Sequence, residues 1–357
     1  MKPRVLFVGP TRYSLPLPDW LQKKFDALDQ ELDYHVLARG EDGNERFTLL
    51  ADRWGPIFRA SLPGHVARAM QRFRPQVVIA EDPPTAAAAL LARRLVRSEA
   101  RVVAEVHGDW RHSTRLYGSP ARRLLSPVAD AVASSAVRSA DAVRALSSYT
   151  ARLVEDVRRR PPEATFPTFS DLSAFEGPRV ALPDRPTALF VGALELYKGV
   201  DTLAAAWPRV TEAVRGARLV VVGRGSRAGI VSRIGADHSP ALAPTEVAAR
   251  MDDSWVLVLP SRHEGFGRVV VESFARGRGV VAGRAGGILD LVHEGREGLL
   301  VEPGDPAGLA AALARVLSDR ALAEGLGEAA AAAYPQWRST AEDFAANVRA
   351  VVEAALH

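Results

Sequence analysis

Two hydrophobic periods alternate along the chain. Short apolar runs closed by Gly, Pro or polar residues occur at Arg4–Gly9, Tyr34–Ala38, Val77–Ala80, Arg101–Val106 and Ala142–Leu146. Between them, at Trp20–Leu28, Pro63–Phe73, Thr85–Arg97 and Ala121–Arg138, and again from Tyr149, apolar side chains return every three to four positions. The runs predict buried strands and the longer stretches predict amphipathic helices. Strand and helix in this order wind into a parallel sheet covered on both faces. From Arg158 to Arg185 the pattern stops, and Pro161, Pro162, Pro167, Pro178 and Pro183 predict an extended linker. A second series follows, with strands at Thr187–Val191, Arg218–Val222, Trp255–Leu259, Gly279–Ala282 and Gly298–Val301. A helix opens around Leu194–Gly199 and runs through Trp207, another spans Pro306–Leu317, and Ala321–His357 is helical with a break near Pro335. The expected fold class is α/β, two doubly wound parallel-sheet domains.

Open parallel sheets take ligands beyond the carboxyl ends of their strands, so the residues after each run are the candidate site. The most informative stretch is Trp255–Gly277, WVLVLPSRHEGFGRVVVESFARG. It reads as a strand stopped by Pro260, a glycine-bearing loop, and a helix start whose unpaired amides and dipole favour an anion. The amides of Gly265, Phe266, Gly267, Arg268 and Val269 suit a phosphate. Glu264 and Glu272 would repel one unless they accept from hydroxyl groups instead. A phosphate flanked by polyhydroxyl groups meets both demands, and nucleoside-diphosphate sugars have that layout. The plainer alternative makes Glu272 a helix-start charge and Glu264 a solvated one.

Other strand ends add candidates. Lys198, one of only four lysines, follows a strand-loop at a helix start, where a point charge meets a phosphate. Gly223-x-Gly225 allows close backbone approach, but Ala228 stands where the dinucleotide fingerprint has its third glycine, which disfavours a nicotinamide enzyme. His107 lies just past a strand, a position more often structural than catalytic. Asp252-Asp253 precedes its strand and reads as a solvated pair. Ser147–Thr150 supplies a helix cap.

Length and composition set bounds. At 357 residues with 47% hydrophobic content the chain holds two cores of ordinary globular type. There is no cysteine, hence no disulfide, zinc thiolate or thiol nucleophile, as a reducing cytoplasm allows. No stretch has the length of a membrane span, and Met1–Gly9 is too short for a signal peptide's apolar core. The net charge of +4 splits into +6 over residues 1–182 and −2 beyond. A basic first half allows contact with a phosphorylated acceptor or an anionic membrane face. No aromatic-interleaved basic run points to nucleic acid.

The Glu264–Glu272 segment, with Glu-Gly-Phe-Gly intact at 264–267, resembles the Glu-x7-Glu segment of the large retaining GT-B glycosyltransferases, the group 1 family. Lys198-Gly199 matches the pair with which relatives hold the donor diphosphate. Glu-Val-His-Gly-Asp at 105–109 resembles the segment whose histidine lies beside the transferred sugar. The resemblance implies two Rossmann-like domains facing a cleft: an acceptor-side domain at 1–172, a donor domain at 173–335, and a final helix, 336–357, packing back on the first. It implies transfer of a sugar with retention, without metal or cofactor, from a nucleotide-sugar donor to a small-molecule, polysaccharide or lipid-linked acceptor. His107, Glu264 and Lys198 would be catalytic. Gly265, Phe266, Gly267, Arg268, Val269, Glu272 and Arg224 would bind the donor, Glu272 at the ribose hydroxyls. The expected location is the cytoplasm or the inner face of the membrane. Where relatives have Gly-Arg, this chain has Gly192-Ala193, so Arg268, or failing that Arg224, is expected to supply the lost charge. A binding subunit without transfer activity and a sugar-nucleotide epimerase are the alternatives.

Overall fold

The computed structural model describes residues 1–51, 55–111 and 120–357, with side chains placed except at 55–57 and 120–125. It divides into two compact units, Met1–Asp171 with Ser339–His357, and Leu172–Arg338. The strands of the first unit are β1 (Arg4–Tyr13), β2 (Asp33–Gly40), β3 (Phe47–Leu50), β4 (Val77–Ala80), β5 (Arg101–Val106), β6 (Ala142–Ala145) and β7 (Ala164–Thr165). They form one parallel sheet in the order β3-β2-β1-β4-β5-β6-β7. The second unit has β8 (Thr187–Val191), β9 (Arg218–Val222), β10 (Asp237–Ser239), β11 (Val256–Leu259), β12 (Gly279–Gly283) and β13 (Gly298–Val301), parallel in the order β10-β9-β8-β11-β12-β13. Each sheet is doubly wound. Its order reverses once, between β1 and β4 and between β8 and β11, and the crevice outside the strand ends at such a reversal is where ligands settle.

Helices on both faces explain why β4, β6, β11 and β12 are buried at every residue instead of alternating. On one face of the first sheet, Leu6, Val78 and Val102 meet Leu62, Val66, Leu90 and Val137 from three helices. On the other, Val5, Val77 and Val103 meet Leu28 from the helix Asp19–Glu31 and Phe344, Val348 and Val352 from the helix Ala341–Leu356. The last helix is thus part of the first unit. Phe344 meets the rings of Phe166 and Phe169 at 6.0 and 6.2 Å.

The structure corrects several boundaries. β1 continues past Gly9 to Tyr13, with its register shifted between Val8 and Arg12. Beyond the shift Arg12 and Tyr13 pair with β2, while pairing with β4 ends at Val8, so the proline interrupts no ladder that needs its missing donor. The helix predicted from Pro63 starts at Gly55 and keeps Pro63 inside. Phe58, Leu62, Val66 and Met70 form one buried stripe across it, whose burial outweighs the roughly 3 kcal/mol that an internal proline costs. The predicted helix start at Leu194–Gly199 is a 3-10 turn, Leu196–Lys198, followed by left-handed Gly199 and the helix Val200–Ala213. The linker buries Phe169 in the first core and Leu172, Phe175 and Leu182 in the second.

Truncating Phe344 to Ala should lower the stability of the first unit by about 3–5 kcal/mol through the cavity left between Phe166, Phe169 and the sheet. Denaturant-dependent hydrogen exchange, read separately for amides of the two sheets, checks this. The second sheet should exchange as in the wild type.

Candidate active site

At the reversal point of the second sheet, the loops after β8 and β11 close on each other. Lys198 follows β8 and Glu264 follows β11, and the Lys198 ammonium donates to Glu264 Oε2 at 2.5 Å with both side chains 14% exposed. The contact depends on how closely the two backbones approach. Gly199 has φ 69°, and a Cβ there would sit 2.0 Å from the Pro260 carbonyl oxygen. Arg262 locks the same turn, donating to the Leu196 carbonyl at 2.6 Å and to both oxygens of Asp201 at 2.7 and 2.8 Å. The β9 loop joins through Glu195, which accepts from the amide and hydroxyl of Ser226 at 2.8 and 2.6 Å, and this holds its carboxyl below the usual range. Gly223 makes the junction possible, because a Cβ there would fall 1.8 Å from the Gly192 oxygen.

The loop from Gly265 to Gly267 enters the helix Arg268–Ala275 through Gly267 at φ 99°. None of the amides from Gly265 to Val269 donates to a described oxygen, so the helix start presents open donors and the positive end of its dipole. Phe266 packs edge-on against Trp337 at 5.8 Å, which steadies the loop. Glu272 sits one turn into the helix and pairs with Arg268, at 3.0 Å and itself 64% exposed. Burial pushes the Glu272 carboxyl above its ordinary pKa, against the opposing pull of Arg268. Arg224 is exposed on the β9 loop. The structure therefore gathers Lys198, Glu264 and Gly265–Val269 at one mouth and places Arg268 on Glu272.

His107 belongs to the first unit and lies beyond the end of β5. Its Nε2 is 3.0 Å from Glu105 Oε2, and the other Glu105 oxygen accepts from Arg144 of β6. At the reversal of this sheet, Glu81 accepts from the amide and hydroxyl of Thr11. Between these groups lies a cavity of about 60 Å³ lined also by Tyr13 and Lys24. Beyond Arg111, residues 112–119 lie outside the described residues.

Residues 185–319 match the family described as glycosyl transferases group 1, and residues 29–167 match the glycosyl transferase 4-like domain. The chain belongs to the group 1 glycosyltransferases. It is 33% identical to the D-inositol 3-phosphate glycosyltransferase of Segniliparus rotundus over 184 residues, 48% of this chain and 41% of that protein. The chain thus spans about two fifths of the length of this curated relative. Sucrose-phosphate synthase from Thermosynechococcus elongatus superposes with a TM-score of 0.75 at 19% identity, covering 94% of each chain. Anabaena HepE, solved with UDP-glucose, superposes with a TM-score of 0.69 at 17% identity, covering 93% of this chain and 94% of its own. The fold is GT-B.

In this group 1 family member, some site features escape the sequence pattern. Arg262 and Glu195 are polar residues in loops, and nothing in their spacing marks them as braces. Asp252 is not a solvated charge: it accepts from Arg276 at 2.9 and 2.6 Å at the far end of the Glu272 helix. Arg278, 1% exposed, donates to the carbonyls of Met251, Asp252 and Ser254 at 3.0, 2.9 and 2.8 Å. An arginine directly after the Arg276-Gly277 step was the available signal.

A carboxylate whose folded pKa is raised destabilises the fold once ionised. That penalty is absent below its unfolded pKa of about 4.5 and grows as pH rises through the folded value. Glu272→Gln should therefore melt higher than the wild type at neutral pH, with the gap closing below about pH 4.5. Melting curves of the two proteins between pH 4 and 8 test it; equal melting temperatures at pH 7 would show that Glu272 carries no such penalty.

Proposed function

We propose that this protein transfers a sugar from a nucleoside-diphosphate sugar to an acceptor hydroxyl, with retention of anomeric configuration and without a metal ion. The observation that carries the reading is the meeting, at the β8–β11 reversal, of a lysine, a row of open amides and two carboxylates. The name of the Segniliparus relative supports glycosyl transfer, and the UDP-glucose bound to HepE supports this class of donor.

Lys198 is assigned to the diphosphate, the amides of Gly265–Val269 to phosphate and sugar hydroxyls, Glu272 to the ribose hydroxyls and Glu264 to the transferred sugar. His107 is assigned to a sugar hydroxyl of the substrate. In the structure each glutamate is charge-matched by a cation. Donor binding exchanges partners, the phosphates taking the cations and the hydroxyls donating to the carboxylates. In the reaction the bond from the anomeric carbon to the diphosphate oxygen breaks through an oxocarbenium-like state. The acceptor oxygen bonds to that carbon from the face the leaving group vacates, and its proton passes to the departing diphosphate. Lys198 and the helix start stabilise the charge growing on that diphosphate. The acceptor is a small molecule, a polysaccharide or a lipid-linked sugar, the last reached through contact of the basic first half with an anionic membrane face. Among the described residues no helix is long and apolar enough to cross a membrane.

Ala193 favours a second reading, a nucleotide-sugar-binding subunit without turnover. Release of nucleoside diphosphate that requires an acceptor and persists in a chelator supports transfer. Binding without release establishes the subunit, and an isomerised sugar nucleotide marks an epimerase. Arg268 is assigned the charge missing at 193. Losing one charge-assisted bond of about 1.5–3 kcal/mol should raise the donor KM of Arg268→Ala at least tenfold. An unchanged KM, with the rise appearing in Arg224→Ala, would move the role to Arg224.

A further inference from the structure

The buried charges around His107 do more than hold two strands together. Glu105 and Arg144 are register partners on β5 and β6. Arg144, 2% exposed, donates to Glu105 and to the Phe166 carbonyl at 3.3 and 3.2 Å, and its guanidinium lies 4.1 Å from the Phe166 ring centroid. With its guanidinium fixed on three sides, Arg144 leaves Glu105 little freedom. The free end of that carboxylate, Oε2, points at His107.

We infer that Glu105, clamped by Arg144, is a positioning residue that holds His107 as its Nε2–H tautomer and so turns Nδ1 outward as a hydrogen-bond acceptor for a sugar hydroxyl. An ionised carboxylate has only acceptors, so the ring nitrogen 3.0 Å away must carry the proton. Burial alone would raise the Glu105 carboxyl, but Arg144 and the His107 bond outweigh it and bring it down to about 2. Glu105 is therefore ionised across any working pH. The other charged groups lining the cavity are Glu81 and Lys24. Lys24 makes cation–π contacts with Phe25 and Phe344 at 5.4 and 5.3 Å, and Glu81 is engaged by Thr11, so neither takes the place of Glu105 on the ring. With Nε2 committed, neutral His107 has one vacant position, a lone pair that orients a hydroxyl by accepting its proton.

The functional half of this inference rests on the assignment of His107 to a substrate hydroxyl, and the test separates the two. In the full chain labelled with 15N-histidine, the His107 signals are identified by their loss in His107→Ala. At pH 8 the wild type should show a protonated Nε2 and a bare Nδ1. Glu105→Gln, which donates as well as accepts, should give mixed tautomers and lower kcat at least tenfold with little change in donor KM. Because Glu105→Gln strands the Arg144 charge, the pair Glu105→Gln with Arg144→Met serves as a charge-neutral second variant with the same expected signature. A protonated Nδ1 in the wild type, or an unaltered Nε2–H tautomer in both variants, overturns the positioning role. Full turnover in His107→Ala overturns the substrate contact, whatever the tautomer.

Discussion

The second unit is organised by a single ion pair. Lys198 and Glu264 are 66 residues apart and meet because β8 and β11 are neighbours at the one place where the sheet order reverses. That reversal leaves the two following loops with no helix between them, and their charges fill the gap. Such a pair gives little net stability, since removing two charges from water costs about what their attraction returns. Its cost is tolerated where a ligand later takes one partner or both. The surrounding bonds serve the same end. Arg262 fixes the turn before Lys198, Glu195 ties that turn to the β9 loop, and the glycines at 199 and 223 let three backbones come within contact.

The first unit repeats the arrangement with other chemistry. At its own reversal Thr11 and Glu81 meet from β1 and β4, and one strand further along Glu105, Arg144 and His107 form a chain of hydrogen bonds. One mouth offers amides and a lysine, as a diphosphate requires. The other offers carboxylates, a hydroxyl and an imidazole, as sugar hydroxyls require. Two copies of one topology thus present different polar groups, and the difference lies in the last residues of the strands and those just past them.

Much of this was legible in the sequence, and the limits have physical causes. The strands β4, β8, β11 and β12 announce themselves because a strand covered on both faces must be almost wholly apolar. Glu264, Glu272 and Lys198 stand out because a strand, a glycine turn and a helix start leave few other places for charge. The edge strands β3, β7 and β10 were missed. β10 is Asp-His-Ser and pairs with β9 through its backbone, so no hydrophobic signal marks it. The helix through Pro63 was cut short because proline's local cost is visible and the buried stripe that outweighs it spans a longer window. Arg144 looks like a solvated residue in a short strand; only the fold reveals that its register partner is Glu105.

The β8–β11 mouth is proposed as a nucleotide-sugar donor site. Thermal stabilisation by a panel of nucleoside diphosphates and their sugars, with Lys198→Ala and Glu272→Ala beside the wild type, tests it directly. At about a hundred times the dissociation constant a bound nucleotide adds about 2.7 kcal/mol. One base should raise the melting temperature of the wild type, and both substitutions should abolish the rise at the same concentration. No shift with any nucleotide, or an equal shift in all three proteins, would contradict the account.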